Sequence, residues 1–390
     1  MSYGNEAGCG KILIGMLHHR ADPEKVKKSY AYSVVAKSEG VEFFYFTPGK
    51  VDIENQKITG KYYEDGVWID KEYPFPDVIY NASSPLSEKG ERTVDYLFDI
   101  IPFTSHSIGD KLSVYNRIKK GEDFKQYLIP TIELSNVQDL LDMINLYPKI
   151  IMKPISGHQG ESVLLIEKEG YKFKINDAGK ISIYTKEELL DLVLLKIQEQ
   201  AYIVQRFISC QIKSGHVSDY RLHVQKNGEG KWVITSIYPR IGSFGSITSN
   251  LGSGGYTAYF NSFLQKEFND DWFNVKRTLE HFSLSFSTHF DSLYDGLPLD
   301  ELGIDVGIDE NQKLWLFEVN WRPGIPIIFN SELDVAKNTI HYAKYLALNN
   351  RNLSSNCGLE KRNCLYYLRR LFFKKRNAKV ENQQSNLHRG

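Results

Sequence analysis

The hydrophobic pattern in the first part of the chain is that of strands separated by a helix. Asp22 and Pro23 predict a helix start, because aspartate caps free backbone N–H groups and proline fits the first helical position. Gly40 predicts where that helix ends. Short apolar runs predict strands at 11–15, 41–47 and 77–80. This order of elements predicts an α/β unit with some parallel sheet for residues 1–107.

Residues 108–200 combine strand and helix patterns. Two sequences match the capping box, in which a residue at the helix start and a Glu or Gln three positions later cap each other's backbone. These are Ser135 with Gln138 and Thr185 with Glu188. Apolar residues follow each of them at helical spacing, so the block predicts an α+β unit.

Residues 201–348 are richer in strand patterns. Asn227 and Gly228 lie between two apolar runs and predict a hairpin turn. We expect a last packed helix from Val335 to Leu348. Because the composition changes at Asn349, the predicted division is into blocks 1–107, 108–200 and 201–348 and a tail, 349–390.

Composition and charge are ordinary for a globular protein. Of the 390 residues, 42% are hydrophobic and 25% are charged, with 48 basic and 48 acidic side chains. Since the net charge is zero, we expect no nucleic-acid partner. No apolar run is long enough to predict a membrane span, and the polar N-terminus lacks the form of a signal peptide. The widely spaced cysteines predict reduced thiols and a cytoplasmic location.

The tail is basic, with ten Lys or Arg residues against two Glu. Basic and aromatic residues interleave between Cys364 and Arg376 at a spacing that a helix could make amphipathic. Two interpretations stay open: contact with an anionic surface, or a solvated extension packed on its own domain. The sequence does not decide the oligomeric state, and a homo-oligomer is one alternative.

The clearest candidate chemistry lies in the run 316–324. Glu318 and Asn320 are two residues apart in a strand-like segment, so both are expected on one face, with Trp315, Phe317 and Val319 on the other. Asp305 lies on an upstream run that could pair beside this one. Hard oxygen ligands suit Mg²⁺ when phosphates also hold it. The predicted metal ligands, for Mg²⁺ or alternatively Mn²⁺, are Asp305, Glu318 and Asn320.

A second candidate is the apolar run at 150–152, which ends in Lys153 and is followed by a glycine-containing loop. Glycines let backbone N–H groups approach phosphates closely, and a lysine adds a point charge. The loop matches neither the Walker pattern nor the dinucleotide fingerprint. Alone, it would be explained equally well by a plain hairpin turn.

Taken in order, these features resemble the ATP-grasp superfamily. The similarity is greatest to the YheC/YheD-type proteins, which are associated with the spore coat, and the same layout occurs in glutathione synthetase and RimK-like ligases. It extends over about residues 11–348. The resemblance implies an ATP-grasp fold, in which two α+β subdomains (108–200 and 201–348) clasp ATP, preceded by an α/β pre-ATP-grasp domain.

The resemblance also implies residue roles. The implied nucleotide contacts are Lys111, Lys153, Ser156, Gly157, Gly160, Gln205, Arg206, Phe207 and Ile208. The implied catalytic contacts are Arg221, Arg240 and Asn250. The chain departs from the family pattern where Gln205 and Arg206 replace an acidic pair, and where Ser253 stands at a position that is often arginine.

The implied activity is ATP-dependent carboxylate–amine ligation through an acyl-phosphate, with ATP and Mg²⁺ as cofactors. The partners would be small-molecule or peptide carboxylates and amines. Two other functions stay open: a kinase that stops at phosphoryl transfer, and an ATP-binding, spore-coat-associated protein without turnover. The family resemblance adds a spore-associated location to the cytoplasmic one.

Overall fold

The structure, a computed structural model, describes residues 10–156, 162–177, 179–249, 254–326 and 331–356. Within these residues the strands form three sheets, each made from its own part of the chain. The helices are α1 (Lys27–Ser38), α2 (Glu88–Ile100), α3 (Lys111–Lys120), α4 (Val137–Leu146), α5 (Lys186–Glu199), α6 (Phe260–Phe268), α7 (Trp272–Ser292) and α8 (Ser331–Asn356).

The first sheet contains the predicted α/β unit. Its strands are β1 (Leu13–Leu17), β2 (Glu42–Phe46), β3 (Val51–Asp52), β4 (Lys57–Glu64), β5 (Val67–Pro74) and β6 (Val78–Asn81). The central strand β1 is parallel to both β2 and β6, whereas β4 and β5 form an antiparallel extension. Because β1 is buried on both faces, its sequence is a continuous apolar run rather than an alternating one. Helices α1 and α8 cover one face and α2 covers the other.

The second sheet is antiparallel, with the strand order β11-β10-β9-β8-β12-β7. Its strands are β7 (Thr131–Leu134), β8 (Lys149–Pro154), β9 (Leu164–Glu169), β10 (Lys172–Asp177), β11 (Lys180–Tyr184) and β12 (Tyr202–Arg206). Apolar residues of α4 and α5 pack on one face and form the core. The Thr185–Glu188 capping box is confirmed. At α4 the prediction was off by one residue, because Asn136 and Asp139 form the box.

The third sheet is also antiparallel, with the order β15-β14-β13-β16-β17. Its strands are β13 (Ser218–Lys226), β14 (Trp232–Ile241), β15 (Tyr256–Thr257), β16 (Glu301–Ile308) and β17 (Leu314–Trp321). The predicted turn at Asn227 joins β13 and β14. One face packs on α3, α6 and α7 in the largest core of the molecule, where Phe282, Phe286 and Phe290 follow one side of α7.

Several elements differ from their predicted limits. The first helix begins with a short 3-10 turn at Pro23–Lys25, which Asp22 caps, and α1 follows it. The strand β12 pairs in the second sheet, although we placed residue 201 at the start of the third block. The last helix runs to Asn356, beyond the predicted limit at Leu348. None of the helices in the described part of the chain is both long and apolar enough to cross a membrane.

Helix α8 returns to the start of the chain. It packs on α1, and its apolar residues enter the core under the first sheet. Near its end, the Arg351 guanidinium donates to both Asp77 oxygens, at 2.8 and 2.7 Å, and to the Gly10 carbonyl. Helix α8 follows β17 of the third sheet along the chain. Its packing on the first sheet therefore holds the first and third sheets together.

A buried ion pair reinforces the same junction. Lys28 of α1 donates to the Glu301 carboxylate at 3.4 Å and to the Pro323 carbonyl at 3.2 Å. The Glu301 carboxylate also contacts His223 Nε2 at 2.8 Å. Burial alone would lower the pKa of Lys28, but the Glu301 charge outweighs it and raises that pKa. Burial lowers the pKa of His223, so the neutral ring donates to Glu301.

We expect Lys28→Ala to destabilise the fold by about 3 kcal/mol, because it leaves the buried Glu301 carboxylate without its cation. Urea denaturation measures the change. The matched control is Lys27→Ala, since Lys27 precedes it on the same helix and is exposed. Equal midpoints for the two variants would contradict the structural role of the pair.

Candidate functional site

One face of the third sheet is polar, and this face carries the candidate site. Since β13, β14, β16 and β17 pair in register, alternate side chains line up in rows across the sheet. Asp219 lies opposite Arg240. Asp305 lies opposite Arg221 on one side and opposite Glu318 on the other. The other face carries apolar core residues, so the alternation of the strands gathers charges from all four on one surface.

A β-bulge in β17 turns Phe317 toward the same surface as Glu318. Asp305 pairs with Glu318, but the next residue, Val306, pairs with Leu316, so Phe317 is the extra residue. Leu316 joins the buried core, while Phe317 and Glu318 both line the cleft. The prediction that Phe317 lies on the opposite face is therefore wrong, because the alternation of side chains stops at the bulge.

Asp305 is the centre of the charged face. Its carboxylate accepts from Arg221 at 2.5 and 3.2 Å, from Arg240 at 3.1 Å and from the Asn320 amide at 3.1 Å. Arg240 also binds Asp219, at 2.7 and 2.5 Å. Although burial by itself raises the pKa of Asp305, the Arg240 and Arg221 guanidiniums outweigh it and lower that pKa. Asp305 is therefore ionised and ion-paired.

The two candidate lysines face Glu318 from different elements. Lys111 is the first residue of α3, which Asp110 caps, and its ammonium lies 3.8 Å from Glu318. Lys153 ends the apolar part of β8 and donates to the Gln205 amide oxygen at 3.1 Å. Burial lowers the pKa of Lys153; Glu318 opposes that shift and Lys111 adds to it. Lys153 is thus a partly buried cation bonded to a neutral acceptor.

Gln205 is held in place from its other end. Its amide nitrogen donates to Thr131 Oγ1 at 2.9 Å, and the Thr131 hydroxyl donates in turn to the Ile129 carbonyl. The chain of hydrogen bonds aims the Gln205 oxygen at Lys153. We did not predict a role for Thr131, which the sequence carries as an ordinary strand residue.

Two adjoining cavities, of about 420 and 270 Å³, lie between the second and third sheets. Lys111, Lys153 and Glu318 line both of them. Ser156 lines the larger cavity. The predicted hinge lines the smaller one, with Gln205, Arg206, Phe207 and Ile208.

A buried thiol also lines the smaller cavity. Burial raises the pKa of Cys210 to about 12, so this thiol is protonated at neutral pH and is not an activated nucleophile. Arg206 stacks on Tyr147 and Trp315 beside the cavity. Three predicted site residues, Gly157, Gly160 and Asn250, lie outside the described residues.

The chemistry of the donor groups fits Mg²⁺ through Glu318 and Asn320. Glu318 faces the cleft, and Asn320 bonds to Asp305 through its amide nitrogen, which leaves its oxygen as the remaining ligand atom. Within the described residues no three His, Cys, Asp or Glu side chains converge as a metal cage. A few protein oxygens are what Mg²⁺ needs when phosphates complete its octahedron. Ligation by Asp305 stays a prediction, because in this structure its oxygens bind guanidiniums.

A cleft between two antiparallel sheets, with a strand lysine on one wall and a Glu-x-Asn strand on the other, defines the ATP-grasp class of protein. Within that class, the profile of the YheC/D like ATP-grasp family matches residues 100–346, and the chain belongs to this family.

Named relatives agree with this assignment. The chain is 26% identical over 326 residues to the endospore coat-associated protein YheD of Bacillus subtilis, covering 78% of this chain and 70% of YheD. It is 23% identical over 305 residues to the endospore coat-associated protein YheC of the same organism, covering 73% and 81%. Its fold is similar to D-alanyl-alanine synthetase A from Vibrio cholerae, with a TM-score of 0.51 and 12% identity over 88% of this chain and 99% of that chain.

Gly303 makes room for the Arg221–Asp305 pair. A Cβ at Gly303 would lie 2.9 Å from Arg221 Nη1 and 2.7 Å from Pro323 Cβ. We expect Gly303→Ala to push Arg221 away from Asp305 and to cost about 1–3 kcal/mol in urea denaturation. Gly324→Ala is the control from the same region, because nothing lies within 4 Å of its added carbon. A Gly303→Ala protein as stable as this control would show that Arg221 can shift freely.

Proposed function

We propose that the protein is an ATP-dependent carboxylate–amine ligase that binds Mg-ATP between its second and third sheets and acts through an acyl-phosphate. The observation that carries the proposal is the convergence of Lys111, Lys153 and Glu318 on one cleft. Lys153 is partly buried, and its one hydrogen bond to the described residues goes to a neutral amide; a nucleotide phosphate would satisfy its preference for an anion.

The proposed reaction has two steps. A substrate carboxylate attacks the γ-phosphorus of ATP, which forms a mixed anhydride and releases ADP. An amine then attacks the acyl carbon, the C–O bond to phosphate breaks, and an amide and inorganic phosphate are formed. No protein nucleophile takes part, which agrees with the protonated state of Cys210.

The chain's own contribution is positioning and charge. The Lys153 ammonium exchanges its hydrogen bond to Gln205 for one to a phosphate oxygen. Lys111 approaches the phosphates from the N-terminus of α3, where the helix dipole adds to its charge. Phe207, Ile208 and Phe317 cover the adenine. Arg221 and Arg240 steady the transferred phosphoryl group, and Asp305 keeps both guanidiniums in a fixed plane.

Mg²⁺, or alternatively Mn²⁺, held by Glu318, Asn320 and Asp305 supplies charge neutralisation for the phosphates when it is bound. Asn250, outside the described residues, keeps its proposed contact with the substrate. The substrates are small-molecule or peptide carboxylates and amines.

The proposal extends to organisation and location. The sheets 131–206 and 218–321 with their helices form the two halves that clasp ATP, and the first sheet with α8 forms the preceding domain. The names of the two Bacillus relatives state association with the endospore coat. We propose a cytoplasmic enzyme with a spore-related role.

Hydroxylamine trapping tests the proposed reaction. The purified protein is incubated with Mg-ATP and a panel of amino acids and peptides, and ADP and acyl-hydroxamates are measured. A ligase of this kind releases ADP and forms a hydroxamate with its acid substrate. ADP release without hydroxamate would indicate a kinase instead. Nucleotide binding without turnover across the panel would favour a non-catalytic coat-type role.

We expect Lys153→Ala to weaken ATP binding by roughly 10- to 100-fold in calorimetry, since a charge-assisted contact to phosphate contributes about 1.5–3 kcal/mol. Lys149→Ala is the matched control, because Lys149 lies on the same strand and pairs with Glu167 instead. ATP binding as tight as in the wild type would refute the phosphate role of Lys153.

We expect Glu318→Gln to lower turnover by roughly two orders of magnitude, while ATP affinity changes less and the melting temperature stays within a few degrees. The charge of Glu318 is needed most when phosphate charge redistributes, whereas the partly exposed side chain carries little of the fold. Glu310→Gln is the control at an exposed site. A large drop in melting temperature with unchanged Mg²⁺ dependence would assign Glu318 a structural role.

A further inference from the structure

The chain leaves β17 through a residue in an unusual conformation. Arg322 follows the last strand residue, Trp321, and has a φ of 55°, in the left-handed region that non-glycine residues seldom occupy. Its guanidinium lies over the Trp321 ring, 3.5 Å from the centroid. The Lys28 ammonium holds the next residue through the Pro323 carbonyl. The position of Arg322 is therefore set by the backbone, by stacking and by the junction with the first sheet.

Despite this fixed position, no hydrogen-bond acceptor for Arg322 lies among the residues that the structure describes. Its Nε atom is shielded from solvent and unpaired, and it forms no salt bridge with any carboxylate that the structure describes. The Asp300 carboxylate acts on Arg322 electrostatically but forms no ion pair with it. Because the Arg322 side chain is only half-buried, its terminal nitrogens, Nη1 and Nη2, remain accessible to a ligand. Arginine in such a position typically binds an anion through this planar edge.

Two histidines of the first sheet lie near Arg322. His18 and His19 lie within its electrostatic range, at the carboxyl end of β1. His19 N–H donates to Ser83 Oγ, which follows β6. The carboxyl ends of parallel strands are where ligands of α/β sheets usually bind. Arg322 thus faces the edge of the first sheet at which a ligand is expected.

We propose that Arg322 binds a carboxylate group of a substrate, and that this carboxylate takes no part in the reaction. The inference rests on the proposed ligase function and names a feature of its substrate: besides the reacting groups, it carries a second anionic group, held between β17 and the end of β1.

The separation of Arg322 from Asn320 and Glu318 along the chain supports a ligand group that lies away from the reacting atoms. Arg322 comes directly after the strand β17, and because two residues of chain span at most about 7 Å, it lies near Asn320 but beyond it. Glu318 lies a further two residues back. A substrate carboxylate bound to Arg322 therefore lies several bonds away from the substrate atom that reacts beside the phosphates near Glu318. Two sources fit this spacing: the second carboxylate of a dicarboxylic acid that is activated, or the carboxylate of an amino acid or peptide that supplies the amine.

Binding is tested first, without turnover. The protein contains five tryptophans, and Trp321 is assigned among their indole N–H signals in a ¹⁵N spectrum through Trp321→Phe. Succinate, and its neutral diamide as control, is titrated with and without Mg-ADP. We expect succinate, but not the diamide, to shift the Trp321 signal in a saturable way, and Arg322→Asn to abolish the shift. Asparagine tolerates the left-handed backbone, so this variant should fold.

Kinetics then identify the source. With any acid and amine that give ADP release, Arg322→Asn should raise the KM of the carboxylate-bearing substrate roughly 10- to 100-fold and leave the KM of ATP unchanged. The substrate whose KM moves is the one held. Arg322→Lys should recover part of the loss, and Arg277→Gln, at an exposed position of α7, should have no effect.

The outcomes separate the two proposals. If no compound stimulates ADP release, the ligase proposal fails, and the succinate titration still decides whether Arg322 is an anion site. If succinate leaves the Trp321 signal of the wild type unmoved, or if Arg322→Asn turns over carboxylate substrates with wild-type KM, the anion site is refuted even when the ligase activity is real.

Discussion

The pairing of charges around Asp305 is the constraint on which the site depends. An antiparallel sheet exposes alternate residues on one face, and here that face carries carboxylates, guanidiniums and an amide from four strands. Burying such a surface beside a cleft is possible only when each charge has a partner. Asp305 meets this requirement by accepting from Arg221, Arg240 and Asn320. It thereby fixes the orientation of three groups on the polar face of the third sheet.

Asp305 belongs to the framework of the site, whereas Lys153 is one of its binding groups. The two differ in how completely their charges are paired within the protein. Asp305 is paired with two guanidiniums, whereas Lys153 is partly buried and, among the described residues, donates to a neutral amide alone. Paired charges stabilise the fold in the absence of a ligand. A charge that is incompletely paired can still form a favourable interaction when a ligand binds. The same distinction applies to Arg322, which stacks on Trp321 but has no acceptor in the described part of the chain.

The first sheet is bound to the rest of the molecule through charges as well as apolar packing. Lys28, Glu301 and His223 form a buried chain of contacts across the junction, and α8 packs on α1 before its last turns reach Asp77. These contacts hold the carboxyl end of β1 close to the end of β17. A substrate that reaches the cleft from this side would therefore meet both the first domain and the charged face of the third sheet.

The sequence by itself determined the α/β order of the first block, the place of Glu318 and Asn320 on one strand and the family, because these follow from local periodicity and from motifs that are contiguous along the chain. It also predicted that Lys153 ends an apolar strand. Only the tertiary structure decided which partners the charges have. No local pattern shows that Arg221 and Arg240 meet at Asp305, that Thr131 orients Gln205, or that a bulge turns Phe317 into the cleft. Those facts depend on strand register and on contacts between distant segments, which are selected by packing of the whole chain.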